Sequence, residues 1–167
     1  MKISVLIPWS GHDPAREAAL EFVQGRLDHP EILIGRVPDD EPWIKAVAVQ
    51  DALEQATGDV LIIHDADVWT DGIGPALDAL DRGISRWAVP HRKVIRLDEA
   101  ASRRVLDGEP LPAGRVKEVT RPIYTGIIGG GIVVIRRDCY ERAPFDRRFI
   151  GWGYEDADLV LRARRHH

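Results

Sequence analysis

Short apolar runs alternate along the chain with longer stretches whose apolar residues recur at helical spacing. Ile3–Ile7 ends at Pro8 and predicts a buried strand. Asp13 followed by Pro14 predicts an N-cap with proline at the first helical position. The helix it opens runs to about Leu27, with Ala18, Ala19, Phe22 and Val23 on its apolar side. Glu31–Gly35 predicts a second strand. Asp39-Asp40-Glu41-Pro42 predicts another capped start, and Ala46, Val49, Ala52, Leu53 and Ala56 follow at helical spacing, with Gly58 as the stop. Val60–Ile63 is the clearest strand. Further on, the pattern predicts a short helix over Pro75–Leu80, a strand over Trp87–Pro90, and a helix capped by Asp98 that runs through Leu106. A loop over 108–122 and a glycine-led strand over Gly129–Ile135 come next. Helices over Arg137–Arg142 and Glu155–Arg165 flank an aromatic, glycine-rich loop, Phe145–Tyr154.

Strand–helix alternation through the first half is the mark of an α/β fold with a parallel sheet covered by helices. No repeat, linker or low-complexity tract divides the sequence, so residues 1–167 are expected to form one compact domain. Its 23 basic and 27 acidic side chains give a net charge of −4, which provides no general footprint for nucleic acid. The single cysteine, Cys139, excludes a scaffold stapled by internal disulfides. No apolar run approaches membrane length, and the first is too short for a signal peptide, so a cytoplasmic location without a membrane span is expected.

Ligands on parallel α/β sheets bind beyond the carboxyl ends of the strands. Asp65 and Asp67 lie there, after Val60–Ile63. In extended chain, residues spaced by two share a side, and paired hard oxygens attract Mg²⁺ or Mn²⁺. The plainer alternative is a solvated turn, where aspartate is common. His64 beside them is given no role. The second constellation is Gly151-Trp152-Gly153-Tyr154-Glu155-Asp156-Ala157-Asp158. Flanking glycines free the backbone to present the Trp152 indole as a platform for a sugar ring. Glu155 and Asp156 follow at a helix start, where a carboxylate can accept a proton from a hydroxyl nucleophile. Asp158 is equally well explained by the helix dipole. Gly129-Gly130-Gly131 permits close approach of backbone to ligand. No phosphate-binding G-x-x-x-x-G-K or G-x-G-x-x-G loop is present. Trp9 and Trp43 fit either a core or the border of a cleft.

In this order, the D-x-D strand, Trp43-Ile44-Lys45-Ala46, Gly130-Gly131 and the G-W-G-x-E-D block resemble the GT-A nucleotide-sugar glycosyltransferases. The last is similar to the C-terminal motif of the β-1,4-galactosyltransferase and chondroitin synthase-like group. The resemblance implies a GT-A (Rossmann-like), mixed, mostly parallel sheet. It implies a metal-dependent inverting transfer of a hexose from a nucleotide-diphosphate sugar, UDP-linked by analogy, to a glycan or other hydroxyl acceptor. Pro8, Trp9, Trp43, Lys45 and Asp65 would hold the nucleotide, and Asp67 with Asp65 would hold Mn²⁺ or Mg²⁺. Gly130, Gly131, Trp152 and Glu155 would contact substrate, and Asp156 would be the catalytic base. Two departures stand out. The third acid of the family block is Ala157, and the expected metal-binding histidine farther on has no counterpart before the terminal His166-His167, a pair also compatible with a tag remnant. Two alternatives are a non-catalytic nucleotide-sugar or glycan-binding module and a sugar-phosphate nucleotidyltransferase.

Overall fold

The computed structural model describes residues 1–11, 13–91, 95–110, 116–118 and 130–166. The expected α/β class is found. Strands β1 (Ile3–Trp9), β2 (Ile32–Arg36) and β3 (Val60–His64) form the parallel part of a five-stranded mixed sheet. Two more strands complete it, β4 (Trp87–Ala88) and β7 (Ile132–Arg136), giving the order β2-β1-β3-β7-β4. β7 runs antiparallel to both β3 and β4. Helices α1 (Pro14–Gln24), α2 (Lys45–Gln55), α3 (Ile73–Asp81), α5 (Arg137–Arg142) and α6 (Glu155–His166) flank it.

Strand alternation splits the core into two layers. Val5, Ile7, Ile62 and Val134 face one side, with Leu20 and Val23 of α1 and Leu80 of α3. Leu6, Leu61, Ile63 and Ile135 face the other, with Val49 and Leu53 of α2, Tyr140 of α5 and Leu159 of α6. A sheet covered on both faces explains why β3 carries no polar alternation, since all five of its residues are buried. Each fully buried Val, Leu or Ile contributes on the order of 1.5–3 kcal/mol relative to exposure.

Several boundaries differ from expectation for physical reasons. Helix α1 stops at Gln24, capped by Gly25, rather than running to Leu27. Its start is as predicted, with the Asp13 carboxylate accepting the Ala15 N–H at 2.9 Å. Helix α2 does not begin at the acidic Asp39-Asp40-Glu41-Pro42 cap. That stretch turns locally, the Glu41 N–H donating to the Pro38 carbonyl, and the helix starts at Lys45 with no side-chain cap. Ala56, not Gly58, caps its end. Glycine at 58 is explained by packing, because a Cβ there would lie 2.6 Å from the Ser4 nitrogen. Within and just before the expected 108–122 loop region, a second small sheet pairs β5 (Ile95–Leu97) with β6 (Val116–Glu118) beside α4 (Glu99–Leu106). The rest of that expected loop beyond residue 110, together with His12, Gly129 and His167, lies outside the described residues. No helix among the described residues is long and apolar enough to cross a membrane.

Candidate functional site

The carboxyl ends of β1 and β3 and the N-termini of α1, α2 and α6 converge on an acidic cleft. Its centre is Lys45, the first residue of α2. The Lys45 ammonium lies 2.6 Å from Asp65 Oδ1 and 2.7 Å from Asp156 Oδ1. Its side chain is only 5% exposed, against 26% for Asp65 and 19% for Asp156. Burial works against the charged ammonium, yet the two carboxylates hold its pKa above the ordinary lysine value. Burial pushes Asp156 up to about 6, against the pull of Lys45. The helix start favours the ionised carboxylate, and burial opposes it.

Asp65 is placed by the backbone around it. Its N–H donates to the Gly131 carbonyl at 2.7 Å, which ties the end of β3 to the start of β7. Gly131 has φ +84°, and a Cβ would lie 3.0 Å from Val68 Cγ1. Gly130 has φ +105°, and a Cβ there would meet Asp156 Oδ2 at 3.4 Å. Both glycines are favoured by their left-handed backbone, and at Gly131 a Cβ would also crowd Val68.

The expected extended D-x-D geometry is not adopted. β3 ends at His64, and Ala66-Asp67 turn. Asp65 is drawn to Lys45, while Asp67 stays on the exposed side of the turn. Partial loss of hydration and the Asp65 charge raise the Asp67 pKa, and Arg16 and Lys45 pull it back. Among the described residues, no group of three or more His, Cys, Asp or Glu is arranged to hold a metal ion. The donor chemistry nevertheless suits a hard cation. Asp67 and the second oxygen of Asp65 could supply two oxygens, leaving phosphate and water to complete the coordination.

Aromatic residues wall one side. Trp43 and Trp152 stack with centroids 5.3 Å apart, and the Gly151 N–H donates to the Trp43 carbonyl at 2.8 Å. Trp152 remains 65% exposed. Gly151, Gly153 and Tyr154 all have positive φ, so the loop is held in a turn that glycine allows and Tyr154 adopts under strain. Glu155 is buried, and its carboxylate accepts the Gly153 N–H at 2.8 Å. That bond ties it to the loop. Asp158 pairs with Arg162 one helical turn on. Pro8 and Trp9 are buried at the end of β1, Trp9 within the core.

Arg16 was missed from sequence. Its guanidinium lies 5.7 Å from the Trp9 ring centre and 5.1 Å from that of Trp152. Nε of Arg16, Nε1 of Trp43 and Nε2 of His64 are buried without a hydrogen-bond partner among the described residues. The signal was present in the chain. Arg16 and Lys45 both sit in the first turn of a helix, where the dipole favours acids. Two cations placed against local preference at the same end of the sheet mark a site that needs positive charge. A separate shallow depression of about 390 Å³ between α2 and residues 144–147 contains none of these acids.

A family described as the N-terminal domain of galactosyltransferase matches residues 118–167, less than a third of the chain. No curated protein matches it in sequence. Among solved structures, the bifunctional IspDF from Campylobacter jejuni superposes with a TM-score of 0.51 at 11% identity, covering 96% of this chain and 47% of that one. The chain thus spans about half the length of that protein. The 2-C-methyl-D-erythritol 4-phosphate cytidylyltransferase from Thermus thermophilus aligns with a TM-score of 0.46 at 18% identity, covering 96% of this chain and 84% of that one. The likeness to IspDF establishes the Rossmann-like α/β fold.

These matches correct the function expected from sequence. The galactosyltransferase likeness is confined to residues 118–167, while the likeness that spans the chain is one of fold, to IspDF. The reading of a UDP-sugar-dependent hexosyltransferase of GT-A type is therefore withdrawn, together with the glycosyltransferase class and its D-x-D signature. Asp156, cast as the base of that transfer, accepts a hydrogen bond from the Lys45 ammonium at 2.7 Å.

Proposed function

We propose that the cleft binds a nucleoside triphosphate and transfers its nucleotidyl group to a sugar phosphate. The observation that carries this reading is the buried Lys45 ammonium between Asp65 and Asp156 at the carboxyl end of β3. The names borne by the fold matches supply the reaction class. In such a transfer, an oxygen of the sugar phosphate bonds to the α-phosphorus. The bond from that phosphorus to the bridging oxygen of the β-phosphate breaks, and pyrophosphate leaves. A phosphate monoester is already ionised near neutral pH, so the site needs no general base. It needs positive charge and alignment.

The residues are assigned on that chemistry. Lys45 and Arg16 neutralise the triphosphate, Arg16 through a guanidinium whose Nε has no partner among the described residues. Asp156 positions Lys45. A divalent cation held by Asp67 and Asp65 would draw charge from the phosphates as they separate. Trp43 and Trp152 form a stacked wall suited to a base or sugar face. The backbone of Gly130 and Gly131 lets ligand approach the acids. The whole chain, residues 1–167, is taken as one domain.

Pyrophosphate release tests the reading. The protein is incubated with each nucleoside triphosphate, a panel of sugar and polyol phosphates, and Mg²⁺. Release that requires both substrates is expected. Nucleotide binding without release would reduce the protein to a binding module, and neither binding nor release would refute the assignment.

A further inference from the structure

The seat between Asp65 and Asp156 is already filled by a cation of the chain itself. Each carboxylate places one oxygen within 2.7 Å of the Lys45 nitrogen, and the Phe145 ring centre lies 5.4 Å from the same ammonium. The side chain is nearly inaccessible, yet both acids keep an open edge. Two carboxylates converging on one point would otherwise repel, and they form the kind of oxygen pair that collects a hard divalent ion.

We propose that Lys45 is the resident cation of the cleft and keeps the Asp65–Asp156 pair closed to divalent metal while no nucleotide is bound. A divalent ion seated on the same two oxygens would lie against the ammonium, and the two positive charges would repel at close range. The ammonium arrives with its helix at no translational cost, whereas a free ion must be stripped of water first. The position is electrostatically unfavourable for a lysine, at the positive end of α2, so the two acids hold it there against the helix dipole. The proposal concerns the cleft assigned above to nucleotide but rests on that assignment only for what later draws Lys45 away. A phosphate chain entering the cleft would offer the ammonium other oxygens and release those of Asp65.

The test uses Mn²⁺ alone, titrated into nucleotide-free protein and followed by the loss of the free-ion electron paramagnetic resonance signal. Wild type should bind Mn²⁺ weakly. Lys45→Met should bind it at least about tenfold more tightly, because a positive charge next to the seat has gone. Lys45→Arg should stay at the wild-type level. Lys45→Met combined with Asp156→Asn should lose the gain. No gain in Lys45→Met, or an equal gain in the double variant, overturns the proposal. If Lys45→Met folds poorly, its melting temperature is compared with and without Mn²⁺. A larger rise than in wild type supports the proposal, and equal rises overturn it. No nucleotide is present, so these results are independent of the pyrophosphate assay.

Discussion

The two ends of the central sheet treat buried polar groups in opposite ways. At the amino end, Ser4 is fully buried at the start of β1. Its hydroxyl donates to Glu31 and accepts the Gly58 N–H at 2.7 Å. Glu31 also accepts from the Thr57 hydroxyl and, at 2.9 Å, from the Thr57 N–H. Every one of these groups finds its partner within the chain. At the carboxyl end, Arg16, Trp43 and His64 each keep a buried nitrogen without a partner among the described residues, and a lysine stands among acids. Buried polar groups are normally satisfied, and exceptions call for an explanation. Closed bonding at one end holds the fold together. Unmet bonding at the other is what a charged ligand would complete.

The strongest test of this contrast is to damage the carboxyl end without touching the fold. Asp67 lies on an exposed turn. Asp67→Asn should therefore lower pyrophosphate release by about a hundredfold to a thousandfold, the usual scale for losing one charge-stabilising group. Its melting temperature should match wild type. A variant that keeps full turnover would remove Asp67 from the site.

Damage at the amino end should do the reverse. Gly58→Ala would drive a methyl to 2.6 Å from both the Ser4 nitrogen and its hydroxyl oxygen. Overpacking of this kind costs about 1–3 kcal/mol, read from chemical denaturation, while nucleotide affinity should not change. Unaltered stability would mean that β1 and the 57–59 turn can separate freely.

A gentler change at that end concerns charge. Hydrogen bonds from Ser4 and Thr57 lower the Glu31 pKa from 4.5 to about 2. A carboxylate whose folded pKa is depressed stabilises the fold above its unfolded pKa. That contribution fades as pH falls from about 4.5 through 2. Glu31→Gln should cost about 1–2 kcal/mol at neutral pH. The gap between variant and wild type should close in acid, as shown by melting curves across that range. A constant gap would assign the effect to shape rather than charge.

Much of this contrast could be read in the chain. β3 rests on a continuous apolar run and β1 on one interrupted only by Ser4, Asp13-Pro14 starts α1 as its cap predicts, and the acids after Val60–Ile63 mark the end of the sheet where the cleft lies. What escaped had tertiary causes. The α2 start was misplaced because Asp39-Asp40-Glu41-Pro42 offers a local cap, while burial of Lys45 against acids distant in sequence sets the true first residue. Gly58 looked like a helix stop because its close contact with Ser4 leaves no trace in local pattern. Strands β5 and β6 are three residues each, too short for a readable alternation. The bond between Lys45 and Asp156, 111 positions apart, likewise leaves no trace in local pattern.

The smallest expected effect is that of Trp152→Ala. The ring is largely exposed, so stability should change by less than about 1 kcal/mol. Nucleotide or sugar-phosphate affinity should weaken several-fold through loss of the stacked wall, measurable by fluorescence titration. Unchanged affinity would leave the Trp43–Trp152 stack as a support for the loop alone.

Calorimetric titration of a nucleoside triphosphate with Mg²⁺ into wild type, Arg16→Ala and Glu31→Gln tests the assignment of the two ends most directly. Arg16 and Glu31 are both charged and partly buried, but they lie at opposite ends of the sheet. The account predicts that binding survives in Glu31→Gln and falls at least about tenfold in Arg16→Ala, as expected when a hydrogen bond to a charged group is lost. Equal affinity in all three proteins, or a loss confined to Glu31→Gln, would contradict it.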